Sequence, residues 1–280
     1  TIEACLTEIF KQTLISDTEV IIIDSGSTDG TLEIVKKFPV RLYKIKPEEF
    51  GHGKTRNYGV SLAKGEFVVM TVQDARPSSD KWLETMLQHF EDSEVAGVCG
   101  QQVVPHEKNK NPVEWFRPVN KPGFNVKHFP SGTFSKLSNY EQWKNCRWDD
   151  VNAMYRKSVL EKIQFADVAF GEDMIWARDA LKAGQKIVYD SRSQVYHYHH
   201  YTKKSVIAAR LTQTYHFTYL TFNYLRPNPF TWHYILKNQY LCLRYKTKPY
   251  WWFYNFKLNW ISRQTVKNFV KTQKQLSLKD

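Results

Sequence analysis

Four carboxylates in this 280-residue sequence sit where they can meet over one crevice: Asp24, Asp74 and the adjacent pair Glu172-Asp173. Asp24 closes the apolar run of IIIDSGSTDGT, and Asp74 follows that of FVVMTVQDARP. A carboxylate at a strand end can accept from ribose hydroxyls or a base N–H. Ser25 and the residues after it add backbone donors close to such a ligand. The same Asp-Gly-Thr chemistry also builds turns and helix caps, a role that suits Asp29 better than Asp24. Asp74, beside Gln73, has the makings of a sparse Mg2+ or Mn2+ site. A departing nucleoside diphosphate needs its charge neutralised, and a cation with few protein ligands and several phosphate oxygens does that. Glu172 and Asp173 open a helix, where carboxylates are favoured. Adjacent residues do not share a helix face, so Asp173 is the expected general base for an attacking hydroxyl and Glu172 its support.

Other polar residues gather around the same pattern. Arg56 and Asn57 fall in the first turns of a helix, where an arginine and exposed amides can face a diphosphate or a nucleobase. Gly51-His52-Gly53-Lys54-Thr55 lacks the spacing of a nucleotide-triphosphate loop, which excludes that class. His197, His199 and His200 follow the last strand, and His199 is the expected metal or phosphate contact. Trp148, Asp149 and Asp150 are expected to line an acceptor pocket. Met154 and Tyr155 read as core.

The elements that must position these groups alternate. A helix runs to about Thr13, then a strand from Val20 to Ile23 and a helix from Thr31 to Lys37. A strand covers Arg41 to Ile45, a helix Lys54 to Ala63, and a strand Phe67 to Val72. A helix follows from Trp82 to Phe90, then strand-like Val95 to Val104. The alternation predicts an α/β fold, Rossmann-like, with a mostly parallel sheet and ligands beyond the carboxyl ends of its strands. An α/β chain opening on a helix is expected to lack a strand ahead of it. Pro105 to Lys144 has little periodicity and reads as a long excursion. Met154 to Glu161 could open a helix, and Glu172 to Ala183 is a helix closed by Gly184. Ile187 to Asp190 and Val195 to Tyr198 read as two edge strands. The organisation is a catalytic domain over 1–202 and a helical, aromatic and basic region over 203–280.

Composition narrows the classes. Lys and Arg total 40 against 28 Asp and Glu, a formal charge of +12. Nucleic acid, a phosphorylated substrate or an anionic membrane could each account for that. No nucleic-acid motif or organised basic stripe accompanies the charge, which argues against nucleic acid. The four cysteines are far apart, which excludes a zinc knuckle and a small disulfide scaffold and fits a reducing compartment. No uninterrupted apolar run reaches spanning length. Aromatics interleave with Lys257 and Arg263 between Trp251 and Arg263. An interfacial helix or packing between helices or protomers would both use that pattern.

Taken in order, IIIDSGSTDGT, KTRNYGVSLAKGEFVVMTVQDA, NAMYRKSVLEKIQF and FGEDMIWARDALKAGQKIVYDSRSQVYHYHHYT resemble the family 2 inverting glycosyltransferases of the GT-A fold, over roughly Thr1 to Tyr201. The resemblance implies a nucleotide-diphospho-sugar transferase with Asp24 on the nucleoside and Arg56 near the diphosphate. Asp74 and His199 would then be metal contacts, with Asp173 the base. The family opens with a strand ending Pro-x-Tyr-Asn, which this sequence does not contain. Val72-Gln73-Asp74-Ala75 also departs from the usual Asp-x-Asp. Gln-Asp-Ala with the closing His-x-His looks most like bacterial rhamnosyltransferases of surface-polysaccharide (O-antigen, lipopolysaccharide or capsule) synthesis. That narrower likeness implies dTDP-L-rhamnose as donor and a glycan acceptor, lipid-diphosphate-linked. It also implies a cytoplasmic enzyme, peripheral on the inner face of the cytoplasmic membrane. A UDP-hexose or UDP-N-acetylhexosamine donor and a non-catalytic assembly subunit are the alternatives, and a homo-oligomer is compatible with each.

Overall fold

The computed structural model describes residues 2–107, 110, 111, 113, 114 and 121–276. The chain divides into two compact units. One comprises Thr1–Val103 and Asn120–His197, the other Val104–Val119 and Tyr198–Asp280. The division falls after His197, ahead of the expected 202/203, and part of the long excursion goes with the helical unit.

The first unit opens with α1 (Ile2–Ile9), which buries Cys5, Leu6 and Ile9. It is shorter than expected. Gln12, three residues past its end, donates to Ser79 O at 2.8 Å and accepts from Leu83 N at 3.2 Å, so it ties the chain to the segment that opens the helix at Trp82 instead of extending α1. Strand β1 (Ile21–Asp24) and β2 (Arg41–Lys44) pair in parallel across α2 (Thr31–Val35). Then come α3 (His52–Leu62), β3 (Phe67–Thr71), β4 (Arg76–Pro77), α4 (Trp82–Leu87) and β5 (Val95–Val103). After the excursion, which carries β6 (Phe124–Lys127) and α5 (Asn139–Asn145), the chain re-enters as β7 (Asn152–Arg156). It continues through α6 (Lys157–Leu160), α7 (Glu172–Lys182) and β8 (Lys186–Tyr196). Tyr155 is thus in a strand, and the helix expected from Met154 starts only at Lys157.

The strands form two sheets, the parallel pair β1–β2 and a six-stranded sheet that is mixed, not mostly parallel. The pairings β1–β2 and β5–β8 are parallel, while β3–β7, β5–β7, β4–β8 and β6–β8 are antiparallel. The two edge strands expected between Ile187 and Tyr198 are one central strand. β8 has β5 on one side and β6, then β4, on the other. Its polar stretch Asp190-Ser191-Arg192-Ser193 imitates a loop in the sequence. In the fold Asp190, Ser191 and Ser193 are buried, and the Asp190 carboxylate and the Ser191 hydroxyl are hydrogen-bonded. Ser191 Oγ donates to Gly123 O at 3.0 Å, and Asp190 takes His89 at 2.7 Å and Arg192 at 2.6 Å. A register shift between Cys99 and Gln101 accommodates them.

The core of this unit joins Cys5 and Ile9 of α1, Trp82, Leu83 and Met86 of α4, and Val98, Met154 and Val188 of the strands. Asn152 fastens it: the amide accepts from Trp82 Nε1 at 2.7 Å and donates to Ser193 O at 2.9 Å. A Cβ at Gly100 would overlap both Asn152 and Ser193 O, so that position admits only glycine. The strands β1 and β3 bound an apolar cavity of about 660 Å³, also lined by Gly59 of α3, Ala63 just after it, and Leu83 and Leu87 of α4.

The second unit contains α8 (Lys204–Phe222), α9 (Trp232–Arg244) and α10 (Pro249–Leu276), with α10 packed on the other two. Thr231 caps α9 by accepting from Tyr234 N at 3.2 Å. Among the described residues no helix is long and apolar enough to cross a membrane.

Candidate active site

The site is built where α3 is pressed against the segment preceding α7. Gly53 makes this possible, because a Cβ there would collide with Ala166 O. Asn57 then locks the approach. Its Nδ2 donates to Phe165 O at 2.8 Å and its Oδ1 accepts from Phe165 N at 3.0 Å. With both ends of its amide used this way, Asn57 fastens α3 in place. Arg56 is thereby turned toward α7 and the loop before β7. Its Nη1 meets Glu172, and its Nε lies 3.1 Å from Asp150 Oδ2. The guanidinium expected near a diphosphate is committed to two carboxylates. All three partners are largely buried, with side-chain exposures of 16% for Arg56, 7% for Glu172 and 1% for Asp150.

Asp150 also accepts from the Tyr155 hydroxyl, and Tyr155 in turn accepts from Trp148 Nε1 at 2.7 Å. Trp148 is only 7% exposed and packs its ring on Tyr155 and Trp176. It forms the floor beneath the carboxylates instead of an open acceptor surface. Burial pushes the Asp150 carboxyl up to about 7; Arg56 and Tyr155 oppose the rise, and Glu172 and Asp149 add to it. Asp173, at the start of α7, accepts from Met174 N at 2.7 Å. Burial, then the nearby charges of Asp150, Asp149 and Glu172, raise its pKa well above the ordinary carboxylate value. A carboxylate destabilised in this way binds a proton more avidly, which is what a general base requires.

A second group of residues adjoins through Asp149. Burial raises the Asp149 pKa, although His197, Gln102 and Arg56 pull against that. Gln102, at the end of β5, donates its amide N–H to Asp149 Oδ2, so its Oε1 faces His197 Nδ1 at 2.7 Å. The carboxylate fixes which end of the amide is which, and the amide fixes the tautomer of the imidazole. His197 Nδ1 must donate. Its Nε2 points at Asp74 Oδ1, 3.5 Å away. A lone pair and a carboxylate facing each other call for a cation or a proton between them. Carboxylate oxygen and imidazole nitrogen suit Mn2+ or Mg2+, with the remaining positions left to phosphate oxygens and water. The arrangement therefore fits a metal ion. His199, the histidine expected to take this role, lies two residues on, in the second unit.

Asp24 ends β1 and is 7% exposed. It accepts from Gly26 N at 3.0 Å and Ser27 N at 3.2 Å. Burial disfavours its charge, but the Ser27 hydroxyl, the Gly26 and Ser27 amides and Lys44 outweigh that and hold its pKa low. The loop containing Ser25 thus wraps a carboxylate that is ionised at neutral pH. Asp29 accepts from Thr31 N at 3.2 Å, the capping role expected of it. Gln73 is exposed beside Asp74. Arg56, Asp149, Asp150, Glu172 and Asp173 thus form one cluster, and Gln102 and His197 connect it to Asp74. Gln102 is absent from the sequence-based expectations. Its signal there is a glutamine pair ending the apolar strand VAGVC, a weak one because exposed strand ends often carry polar residues. All four cysteines are buried free thiols.

The model of the family described as "Glycosyl transferase family 2" matches residues 1–164. An O-antigen chain rhamnosyltransferase of Salmonella anatum, WbaN, is 33% identical over 203 residues, covering 70% of this chain and 61% of that protein. The O-antigen chain rhamnosyltransferase RfbN of Salmonella typhimurium is 30% identical over 69% of this chain and 61% of that protein. The chain thus spans about three fifths of the length of these relatives. A mannosyltransferase of Pyrobaculum calidifontis, solved with GDP-Man and Mn2+, superposes with a TM-score of 0.58 at 18% identity, covering 99% of this chain and 76% of that one. Staphylococcus aureus TarS 1–349 with UDP-GlcNAc gives 0.55 at 16% identity, over 98% and 88%. At these identities the likeness is one of fold.

Proposed function

The chain belongs to glycosyl transferase family 2, and we propose that it moves a sugar from a nucleotide-diphosphate donor to a hydroxyl of a glycan with inversion at the anomeric carbon. The observation that carries this reading is Asp173. It is a carboxylate of raised proton affinity, at a helix start, beside an arginine-clamped acidic cluster that connects through Gln102 to a cation-compatible Asp74–His197 pair.

Asp173 takes the proton from the acceptor hydroxyl. That oxygen attacks the anomeric carbon on the face opposite the diphosphate, and the bond to the leaving phosphate oxygen breaks. One displacement gives inversion, with no covalent sugar–enzyme intermediate. Arg56 does not reach for the leaving group in this account. It holds Glu172 and Asp150 in place, so that Asp173 keeps its orientation while its pKa stays high. Asp74 and His197 would hold Mn2+ or Mg2+, which supplies charge neutralisation to the diphosphate when bound. Gln102 orients His197 for that role. Asp24, with Ser25 and Gln73, contacts the nucleoside end. Asp149 faces the acceptor.

We assign L-rhamnose from dTDP-L-rhamnose as the donor. The support is the 33% and 30% identity to two O-antigen chain rhamnosyltransferases. The acceptor in this reading is a lipid-diphosphate-linked glycan of bacterial surface-polysaccharide synthesis, met at the inner face of the cytoplasmic membrane. The cavity between β1 and β3 has the apolar lining of a strand position, and we propose that one further extended segment seats there and joins the two sheets. Incubation with a panel of dTDP-rhamnose, UDP-glucose, UDP-galactose and UDP-N-acetylglucosamine, with Mn2+ or with chelator, tests the donor assignment. Turnover of dTDP-rhamnose above the others is expected. Preference for a UDP-sugar would overturn it.

A further inference from the structure

The charge of this chain is concentrated. Residues 198–280 contain fourteen Lys and Arg against one acidic residue, Asp280, while the other 197 residues carry 26 against 27. The whole excess of +12 therefore belongs to the helical unit. The same unit exposes aromatic residues in two stripes. On α9, Trp232, Leu236, Tyr240 and Leu243 are 50–66% exposed and fall at spacings of four, four and three, one stripe of the helix. On α10, Phe253 (76%), Phe256 (47%) and Trp260 (41%) form a second stripe. The buried face of α10 carries Asn255, Asn259 and Ser262, each at most 3% exposed. Asn255 is held there by Asn111 at 2.8 Å. Part of the polar face is inside and the aromatic face outside, the reverse of a helix designed for water.

The two stripes meet. The rings of Trp232 and Trp260 are 5.7 Å apart, and the Arg263 guanidinium lies over Trp232. Lys257, Lys267 and Lys271, all exposed, share the helical sector of Phe253 and Trp260. An apolar band flanked by lysines, on helices too polar to span, is the construction of a surface lying in a bilayer interface. We propose that the α9–α10 face docks on a membrane bearing anionic headgroups, with Trp232, Phe253, Phe256 and Trp260 entering the acyl boundary and the lysines meeting phosphate. Charge decides against a second copy of this chain. A symmetric pairing through this face would bring two strongly basic surfaces together, whereas an anionic leaflet neutralises one. The face is independent of the sugar-transfer reading, so vesicle binding and transfer to a soluble acceptor can fail separately.

The test is flotation of the whole chain with vesicles of phosphatidylcholine containing about one third phosphatidylglycerol, and with pure phosphatidylcholine. Tryptophan quenching by acyl-brominated lipid is read on the same samples. Binding and quenching are expected on the anionic vesicles, with weak binding on the neutral ones and weakening by salt. Replacing Lys257, Lys267 and Lys271 by Gln is expected to weaken binding about 100-fold, at about fivefold per lysine. Phe253→Ser with Phe256→Ser should abolish quenching while leaving the thermal transition unchanged, since both side chains are exposed. The proposal is overturned by equal affinity for neutral vesicles or by no flotation at all. It is also overturned by a self-association in sedimentation that the Phe double variant dissolves while vesicle binding stays absent, or by tighter binding to a short RNA that displaces the vesicles.

Discussion

Replacing Asp150 by Asn should make the protein more stable and less active, and the gain should depend on pH. Asp150 is 1% exposed, and its carboxyl titrates near 7 because it is buried among other acids. In the unfolded chain the same group ionises near its ordinary value of 3.8. The folded state therefore holds the proton more tightly, and ionisation costs folding free energy. The cost is absent below the unfolded pKa, grows as pH rises through the interval, and is constant above the folded pKa. The rise from 3.8 to about 7 corresponds to roughly 4 kcal/mol at 1.36 kcal/mol per pH unit. Asn resembles the protonated acid and keeps an oxygen for the Tyr155 hydroxyl. Its extra N–H pair is less well served, which trims the gain to about 2–4 kcal/mol at pH 8. That corresponds to a melting temperature higher by roughly 5–15 °C. Urea unfolding of both proteins from about pH 5 to about pH 8 measures it. A gain that rises to near pH 7 and then levels is expected. A destabilised Asp150→Asn protein at pH 8, or a difference flat across pH, would refute the burial argument.

The other predictions concern neighbouring groups. Arg56→Met removes the only cation bonded to both Glu172 and Asp150 among the contacts described. It should cost about 3–5 kcal/mol at pH 8 through uncompensated buried charge and shrink at lower pH as Asp150 takes a proton. Gln102→Leu frees His197 to rotate, and Mn2+ affinity of the folded protein, read by electron paramagnetic resonance, should fall about 10–100-fold. The pH profile of kcat/KM should have an acid limb above the ordinary carboxylate range, since Asp173 must lose its proton to act and its pKa is raised. A limb near pH 4 would remove Asp173 from the base role.

The first half of the fold was legible because its signals are local. Apolar runs such as IIID and FVVMT end on Asp24 and just before Gln73-Asp74, and the structure puts strands there. Pattern could not show direction. β3, β5 and β7 read equally well as parallel strands, and their antiparallel pairings depend on where the chain re-enters after 105–144. β8 was misread because buried Asp190 and Ser191 look like a loop until their partners are known. At the site, residue types were visible and commitments were not. Arg56 near an acidic helix start reads as a free cation; only the fold shows its two carboxylates. Gln102 lies 47 residues from Asp149 and 95 from His197, so nothing local marks it.

The reading stands on Asp173 as the base of a single displacement. Transfer from dTDP-rhamnose to acceptor glycan, followed by nuclear magnetic resonance of the new anomeric centre for the parent protein and for Asp173→Asn, tests it most directly. An inverted anomer from the parent and a loss of at least about 100-fold in kcat for Asp173→Asn, with donor binding kept, are the expected results. A product of retained configuration, or an Asp173→Asn protein with full turnover, would contradict the account.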